Sequence, residues 1–300
     1  MENGCAISNG NPCMLCPRGC GVRRGAGQAG RCGAPARFLV CRAAPHYGEE
    51  PCISGVRGSG AVFFGGCALG CVFCQNHEIS RGGRGRELTV PELRELLLRL
   101  RDRGVHNINL VTPSHYSALL AEALSRLELG IPVVWNSSGY ERVEQLRQLE
   151  GLVQVYMPDY KFAFSDLAAR YCGAPDYPEI ALDAIREMYR QTGPFLTDCE
   201  GILRQGVLIR HLVLPGAPEN TLRVIDAIED HLPAKHILFS LMGQYTPMPG
   251  LERFPELQRG VTEEEYGRCR SYLEFSSIAH GYVQELSSAG EDMIPEWNMA

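Results

Sequence analysis

Three cysteines, Cys67, Cys71 and Cys74, stand close together with the spacing C-x3-C-x2-C. They follow the apolar run 61–64, whose β-branched and aromatic residues are typical of a buried strand, so we expect a strand to lead into a short cysteine-rich loop. Thiolates are soft ligands that suit iron–sulfur clusters, zinc and Cu(I). Three ligands leave one metal position free, which is typical of a site that binds and activates another molecule.

The spacing is specific. With 13 cysteines in 300 residues, it should arise by chance about 0.02 times. The glycines at 65, 66 and 70 relieve the steric limits on a loop that wraps around a cluster. The alternative interpretation is a three-thiol zinc loop that a distant ligand completes.

This motif, with an aromatic residue before its last cysteine, resembles the signature of the radical SAM enzymes. The flanking sequences Glu-Glu-Pro-Cys-Ile-Ser-Gly (49–55), Gly-Ser-Gly (58–60) and Cys-Gln-Asn-His-Glu-Ile-Ser (74–80) are similar to the pyruvate formate-lyase activating-enzyme-like branch. The resemblance implies a [4Fe–4S] cluster on the three catalytic cysteines Cys67, Cys71 and Cys74. It also implies reductive cleavage of S-adenosylmethionine to a 5′-deoxyadenosyl radical that abstracts a hydrogen atom.

Four further cysteines near the start of the chain have the spacing C-x2-C-x3-C-x11-C: Cys13, Cys16, Cys20 and Cys32. Their segment has too few apolar residues to fold by core burial alone, so we expect a metal to hold it. Zinc would make it a small structural knuckle, and an auxiliary iron–sulfur cluster would make it a second redox centre. Unligated thiols are the third interpretation.

From residue 61 onward, short apolar runs alternate with helical patterns. Strands are predicted at 61–65, 107–111, 131–135, 152–157, 207–214 and 236–241. Helices are predicted after Thr89 and at 116–127, 141–149, 176–191, 220–231 and 262–275, with an extra helix in the long segment 162–201. Six βα repeats predict an α/β fold with a parallel sheet that closes most of a barrel. The resemblance likewise implies a partial (β/α)6 TIM-type barrel.

We predict three parts in the chain. Residues 1–57 form the Cys-rich, metal-binding N-terminal extension, residues 58–285 the barrel, and residues 286–300 a C-terminal tail. Chemistry in such barrels gathers at the carboxyl ends of the strands, where the βα loops converge. Polar, Gly or Pro residues follow all six predicted strands, as a site for a polar ligand needs.

Candidate cofactor-binding residues lie at these strand ends: Phe73, Thr112, Ser114, Asn136, Ser137, Asp159 and Lys161. Thr112 and Ser114 are candidates to meet the amino group of S-adenosylmethionine, although Thr-Pro-Ser stands where the family often has Gly-Gly-Glu. Met157-x-Asp159-x-Lys161 resembles a motif of the activating enzymes, which implies that the lysine reaches the cofactor carboxylate and the aspartate helps to hold a monovalent cation. The alternative for that pair is an ion pair at the rim.

Three of these candidates carry further qualifications. Asn136-Ser137 occupies the place of an Asp-Thr pair in the activating enzymes. Phe73 is a candidate neighbour of the cluster and the adenine, or simply a core aromatic.

The composition indicates an ordinary soluble chain. A net charge of −6 and a pI of about 5.8 give no reason to expect nucleic acid or an anionic membrane as a partner. No apolar run approaches a membrane span and the first ten residues lack a signal-peptide pattern, so we expect a cytoplasmic protein. Many cysteines in such a chain indicate metal rather than disulfides.

Three functions remain open from the sequence. The resemblance implies a glycyl-radical-enzyme activase, an oxidoreductase that works anaerobically, takes electrons from flavodoxin or ferredoxin and removes hydrogen from a glycine of a partner protein. A second hypothesis keeps the radical chemistry and replaces the partner with a small molecule or a peptide. A third makes the chain a non-catalytic iron–sulfur electron carrier.

Overall fold

A computed structural model describes residues 11–81 and 83–286 of the chain. The first ten residues of the predicted extension, and the predicted tail beyond residue 286, lie outside the described residues. No helix in the described ranges is long and apolar enough to cross a membrane.

The described chain contains ten strands. They are β1 Phe38–His46, β2 Ser59–Phe64, β3 Arg86–Leu88, β4 Ile108–Val111, β5 Val133–Ser137, β6 Val155–Pro158, β7 Leu196–Thr197, β8 Leu203–Leu212, β9 Leu238–Met242 and β10 Gly281–Val283. In the sheet the order is β10-β9-β8-β6-β5-β4-β2-β1-β3, and β7 pairs with β8. Pairing is parallel from β2 to β10 along this order, whereas β1 runs antiparallel to β2 and β3.

Nine α-helices connect the strands within the described ranges. They are α1 Pro51–Ser54, α2 His77–Ser80, α3 Val90–Asp102, α4 Ser117–Leu124, α5 Val143–Arg147, α6 Ser165–Cys172, α7 Tyr177–Thr192, α8 Pro218–His231 and α9 Glu263–Glu274. Thr89 and Thr262 cap α3 and α9 through complete capping boxes, as their Thr-x-x-Glu sequences predict. The extra helix expected between residues 162 and 201 is α6.

Hydrophobic burial divides the sheet into two faces. Outward residues such as Trp135, Tyr156 and Ile209 pack in one large core with the surrounding helices. Inward residues form a second cluster with Cys52 and Ile53 of α1: Val134, Val155, Met157, Leu203, Leu208 and Leu238. Because strand side chains alternate between faces, helix α1 plugs the inside of the curved sheet at one end. The polar residues are left at the other end.

The predicted partial barrel is confirmed, and all six predicted strands are present as β2, β4, β5, β6, β8 and β9. The structure adds three strands at the edges, because β1 and β3 extend the sheet beyond β2 and β10 extends it beyond β9. Strand β1 lies within the predicted extension 1–57 and pairs with the first barrel strand over Val40–His46. The sheet therefore continues across the predicted boundary at residue 57, and the division into parts stays a prediction.

Candidate active site

The loop with three cysteines follows β2 directly, at the carboxyl end of the parallel sheet. Its bend depends on Gly66 and Gly70, which have φ values of +86° and +67°. These values lie in the left-handed region, which glycine adopts without the steric cost that a side chain brings. The loop buries Cys71 and leaves Cys67 and Cys74 partly accessible. A strand therefore ends in a compact loop that carries three thiols, all of which line one pocket.

Neighbouring elements hold this loop at its start. The Gly65 N–H donates to the Leu39 carbonyl of β1 over 2.8 Å, and the Gly66 N–H donates to the Ile79 carbonyl of α2 over 2.8 Å. His115 is fully buried, and its Nε2 donates to the Gly65 carbonyl over 2.9 Å. Burial lowers the pKa of His115 to about 3, so the ring is neutral and acts as a fixed support.

A cavity of about 210 Å³ opens beside the loop. Each parallel strand from β2 to β9 contributes lining residues, either from the strand itself or from the loop that follows it. The lining residues include Cys67, Cys71, Phe73, Cys74, Thr112, Asn136, Ser137, Asp159, Lys161, Arg210, Leu212, Met242, Gln244, His46 and Glu49. The structure thus gathers nine of the ten cluster-loop and cofactor residues predicted at the strand ends around one pocket.

Ser114 is the predicted cofactor residue that does not line this pocket. It begins a 3-10 helix at Ser114–Tyr116, and its hydroxyl donates to Glu141 Oε1 over 3.0 Å. Thr112 does line the pocket, and its φ of +59° is rare for a β-branched residue. Phe73 borders the pocket and also packs its ring against Phe162 and Tyr171 in the core.

Four charged side chains that line the same pocket form a chain of alternating sign. Lys161 Nζ lies 2.7 Å from Asp159 Oδ2. Arg210 Nε lies 3.2 Å from Asp159 Oδ1, and Arg210 Nη1 lies 2.9 Å from Glu49 Oε2. All four side chains are at most 18% exposed, so this is a buried network and not a rim ion pair.

The network keeps Asp159 and Lys161 charged. Burial alone would raise the pKa of Asp159, but the positive charges of Lys161 and Arg210 outweigh it and hold this pKa below 3.8. Burial likewise works to lower the pKa of Lys161, and the charge of Asp159 raises it above its usual range. The pocket therefore presents fixed positive and negative charges to a polar ligand at neutral pH.

The sequence predicted no site role for Arg210 and no definite site role for Glu49. Glu49 precedes α1 and reaches into the pocket, where Asn109 Nδ2 and Asn136 Nδ2 donate to its Oε1 over 2.9 and 3.2 Å. Arg210 Nη2 donates to Asn136 Oδ1 over 3.0 Å. An arginine on the inward face of an apolar strand is the signal that identifies it, since an inward charge must find partners.

The pocket has the donor set that an iron–sulfur cluster and S-adenosylmethionine need. Three thiols are soft ligands for iron, and burial raises the pKa of Cys67 to about 12, so ligation must displace protons. Gln244 borders the pocket with a buried Oε1 that has no partner within the described residues. A ligand donor would satisfy that oxygen.

The four N-terminal thiols also lie near one another, beside the cluster loop. Cys13, Cys16 and Cys32 are buried, and Cys20 is exposed. Across residues 11–81 and 83–286, no group of three or more His, Cys, Asp and Glu side chains is placed so as to hold a metal ion.

Comparison with known proteins gives one family and one curated relative. The radical SAM superfamily matches residues 61–228, which is more than half of the chain. The uncharacterized protein MJ0674 of Methanocaldococcus jannaschii is 30% identical over 241 residues. This match covers 76% of the chain and 65% of the relative's length.

Solved structures share the fold at low sequence identity. SuiB of Streptococcus suis, bound to S-adenosylmethionine, is 14% identical with a TM-score of 0.52, and the match covers 73% of this chain and 48% of SuiB. HydG, a maturase of the [FeFe]-hydrogenase, is 14% identical with a TM-score of 0.50, and the match covers 77% of this chain and 53% of HydG. At these identities the likeness concerns the fold alone.

Proposed function

The chain belongs to the radical SAM superfamily, and we propose that it cleaves S-adenosylmethionine at a [4Fe–4S] cluster held by Cys67, Cys71 and Cys74. The observation that carries the proposal is the pocket that these thiols line together with Asp159 and Lys161, which follow β6, and Arg210 of β8. A reduced cluster held by these cysteines would supply one electron to the sulfonium, whose C–S bond would break to give methionine and a 5′-deoxyadenosyl radical able to abstract a hydrogen atom.

The residues of the chain bind and orient the cofactor. Lys161 offers a positive charge to a carboxylate, and its ion pair with Asp159 holds the ammonium in place. Thr112 and Asn136, on neighbouring strand ends, offer polar atoms on the adjoining wall. Phe73 and Leu212 supply apolar surface that keeps water from the reacting centre.

The initiation chemistry is tested anaerobically. The protein is reconstituted with iron and sulfide, reduced, and given S-adenosylmethionine, and 5′-deoxyadenosine is followed by chromatography. We expect turnover in the wild type, loss in Cys71→Ala, and turnover in Cys269→Ala, which removes a buried thiol far along the chain. A fully loaded wild-type cluster that yields no 5′-deoxyadenosine would favour the electron-carrier hypothesis.

For the hydrogen donor, we propose a glycine of a partner protein, as in glycyl-radical-enzyme activases. The support is sequence likeness: Met157-x-Asp159-x-Lys161 and Glu49-Glu50-Pro51 resemble the activating enzymes. A one-electron donor such as flavodoxin or ferredoxin would reduce the cluster, and a cytoplasmic, anaerobic setting would suit the chemistry.

A small molecule or peptide is the second candidate donor. Glu49 and Arg210 favour it, because they give the pocket a charged floor that a backbone glycine does not require. The fold neighbour SuiB has also been solved with its precursor peptide SuiA, with a TM-score of 0.51 to this chain.

Deuterium transfer into 5′-deoxyadenosine distinguishes the two candidate hydrogen donors. Source cells are grown on α-deuterated glycine, and their anaerobic extract is divided by dialysis into macromolecules and small molecules. Deuterium in 5′-deoxyadenosine from the macromolecular fraction supports the activase. Extra 5′-deoxyadenosine, without deuterium, that depends on the small-molecule fraction contradicts it and supports the second candidate.

A further inference from the structure

The N-terminal cysteines are buried in a segment with very little regular structure. Between residues 11 and 37 the one regular element is a 3-10 helix at Arg24–Ala26. A turn joins Cys13 to the following chain, because its N–H donates to the Val22 carbonyl and its carbonyl accepts from Gly21. Three of the four thiols are nonetheless at most 7% exposed. Cys13 and Cys32 pack with Leu15 and Ala34 in the large apolar core, whereas the buried Cys16 belongs to none of the apolar clusters of the described residues.

Hydrogen-bond donors point at the sulfur atoms. The Arg31 N–H donates to Cys20 Sγ over 3.4 Å, and Arg24 Nη2 donates to Cys32 Sγ over 3.4 Å. Donors of this kind stabilise thiolates.

Cys13, Cys20 and Cys32 lie close enough to Cys16 for their charges to act on it. A metal ion is the group that holds several such thiols together, because it deprotonates the thiols that it coordinates.

We propose that Cys13, Cys16, Cys20 and Cys32 bind a second metal centre, and that this centre holds Arg18 against the cluster loop. The ligand chemistry is four thiolates, which suits either one zinc ion or an iron–sulfur cluster. The four thiols are not yet at coordination distances within the described residues, so the metal must draw them together. Binding would then order the segment, since metal-binding free energy becomes folding free energy.

Arg18 is the link between the two cysteine sets. It lies between Cys16 and Cys20, and its guanidinium donates to the carbonyls of Ala68 and Leu69 over 2.9 and 3.1 Å. Both carbonyls lie between Cys67 and Cys71 in the cluster loop. The same guanidinium donates to the carbonyls of Cys172 and Gly173 at the end of α6.

Three further contacts fix the segment against the barrel. The Cys32 carbonyl packs so tightly on Gly66 that a Cβ there would lie 2.4 Å from its oxygen. Arg24 Nη1 donates to the His115 carbonyl over 2.7 Å, and Arg142 Nε donates to the Cys16 carbonyl over 2.9 Å. The N-terminal segment therefore touches the loops after β2, β4 and β5, and loosening it would loosen the cluster loop.

Metal analysis tests the centre independently of any reaction. The full chain is prepared with Cys67, Cys71 and Cys74 all changed to Ala, which removes the loop ligands, and iron, zinc and sulfide are measured. We expect roughly one zinc ion or about four irons with sulfide per chain to remain. We expect this metal to be lost when Cys16→Ser and Cys32→Ser are added, and to be kept when the exposed Cys199→Ser is added instead. A triple variant without metal, or metal that persists without Cys16 and Cys32, would overturn the proposal.

Cys16→Ser and Cys32→Ser change buried residues and can therefore cause misfolding. Cys20→Ser is the milder variant, because Cys20 is exposed. Its metal should be removed faster by a chelator than that of Cys199→Ser, with equal circular dichroism before chelation. Equal rates of removal would overturn the assignment of Cys20 as a ligand.

The link to the cluster loop is measured by hydrogen exchange in the same triple variant. Removal of the second metal should speed amide exchange in residues 66–74, and Arg18→Gln should do so with the metal still bound. Unchanged exchange in both cases would overturn the role of Arg18.

Discussion

At the scale of single residues, Asp159 stands between two cations in a buried part of the pocket. Replacing it with asparagine leaves Lys161 and Arg210 without their shared anion. Loss of one partner from a buried ion pair costs about 3 to 5 kcal/mol, because a charge remains buried and uncompensated. We therefore expect Asp159→Asn to lower the free energy of unfolding in urea by about this amount.

An exposed ion pair supplies the control. Arg268 and Glu219 pair with side chains that are 53% and 59% exposed. Glu219→Gln should change the free energy of unfolding by less than about 1 kcal/mol. Equal effects of Asp159→Asn and Glu219→Gln would contradict the buried network.

The same aspartate predicts a pH dependence. Its folded-state pKa lies below the ordinary 3.8, so its stabilising contribution is present above that pH and disappears as the pH falls through the folded value. The difference in unfolding free energy between the wild type and Asp159→Asn should be constant above about pH 5 and should shrink below pH 3.8. A difference that stays constant into this acidic range would show that Asp159 carries no shifted pKa.

Residue roles were harder to predict from sequence than residue positions. Lys161 and Asp159 were identified because they follow a strand in a motif. Glu49 joins them in the pocket from 110 residues earlier in the chain, and no local pattern reports a partner at that separation. Ser114 shows the opposite case. It follows a strand as predicted, but its hydroxyl donates a hydrogen bond to the buried carboxylate of Glu141 and does not line the pocket.

At the scale of elements, the cluster loop depends on close packing with the N-terminal segment. Gly66→Ala adds a Cβ 2.4 Å from the Cys32 carbonyl oxygen, whereas a Cβ on Gly70 meets nothing within 4 Å. Both glycines have positive φ, so each substitution costs about 1 to 2 kcal/mol of backbone strain. Gly66→Ala should lower the unfolding free energy by a further 1 to 3 kcal/mol or so from overpacking.

Gly70→Ala is thus the matched control for backbone strain. Thermal or urea unfolding of both variants measures the difference between them. If Gly70→Ala proved as destabilising as Gly66→Ala, the contact with Cys32 would have no energetic role.

The elements themselves were largely predictable, and the exceptions have physical causes. Helices α3 and α9 begin with complete capping boxes, and the parallel strands β2, β6 and β9 are rich in apolar residues. Strand β10 has three residues and begins with a glycine, so neither length nor periodicity marks it. Strand β1 contains Pro45, which weakens a strand pattern and is tolerated near a sheet edge.

At the scale of the whole molecule, the curved sheet brings distant segments to one end. Helix α1 and its apolar partners fill the inside at the opposite end, which leaves the carboxyl ends of β2 to β9 around a single pocket. We propose that the cysteine loop binds the same S-adenosylmethionine as Asp159 and Lys161, which follow β6, and Arg210 of β8. The βα repeats in the sequence predict that the strand ends lie together at one end of the sheet. The charge network was not predictable, because it depends on how distant segments pack.

The affinity of the cluster-loaded protein for S-adenosylmethionine tests this claim most directly. Equilibrium dialysis would compare the wild type, Lys161→Met and Lys235→Met, since Lys235 is solvent-exposed and far along the chain. A hydrogen bond to a charged group contributes about 1.5 to 3 kcal/mol, so Lys161→Met should raise the Kd roughly 10- to 150-fold at unchanged iron content. Lys235→Met should bind like the wild type. A Kd for Lys161→Met equal to that of the wild type would contradict a shared site.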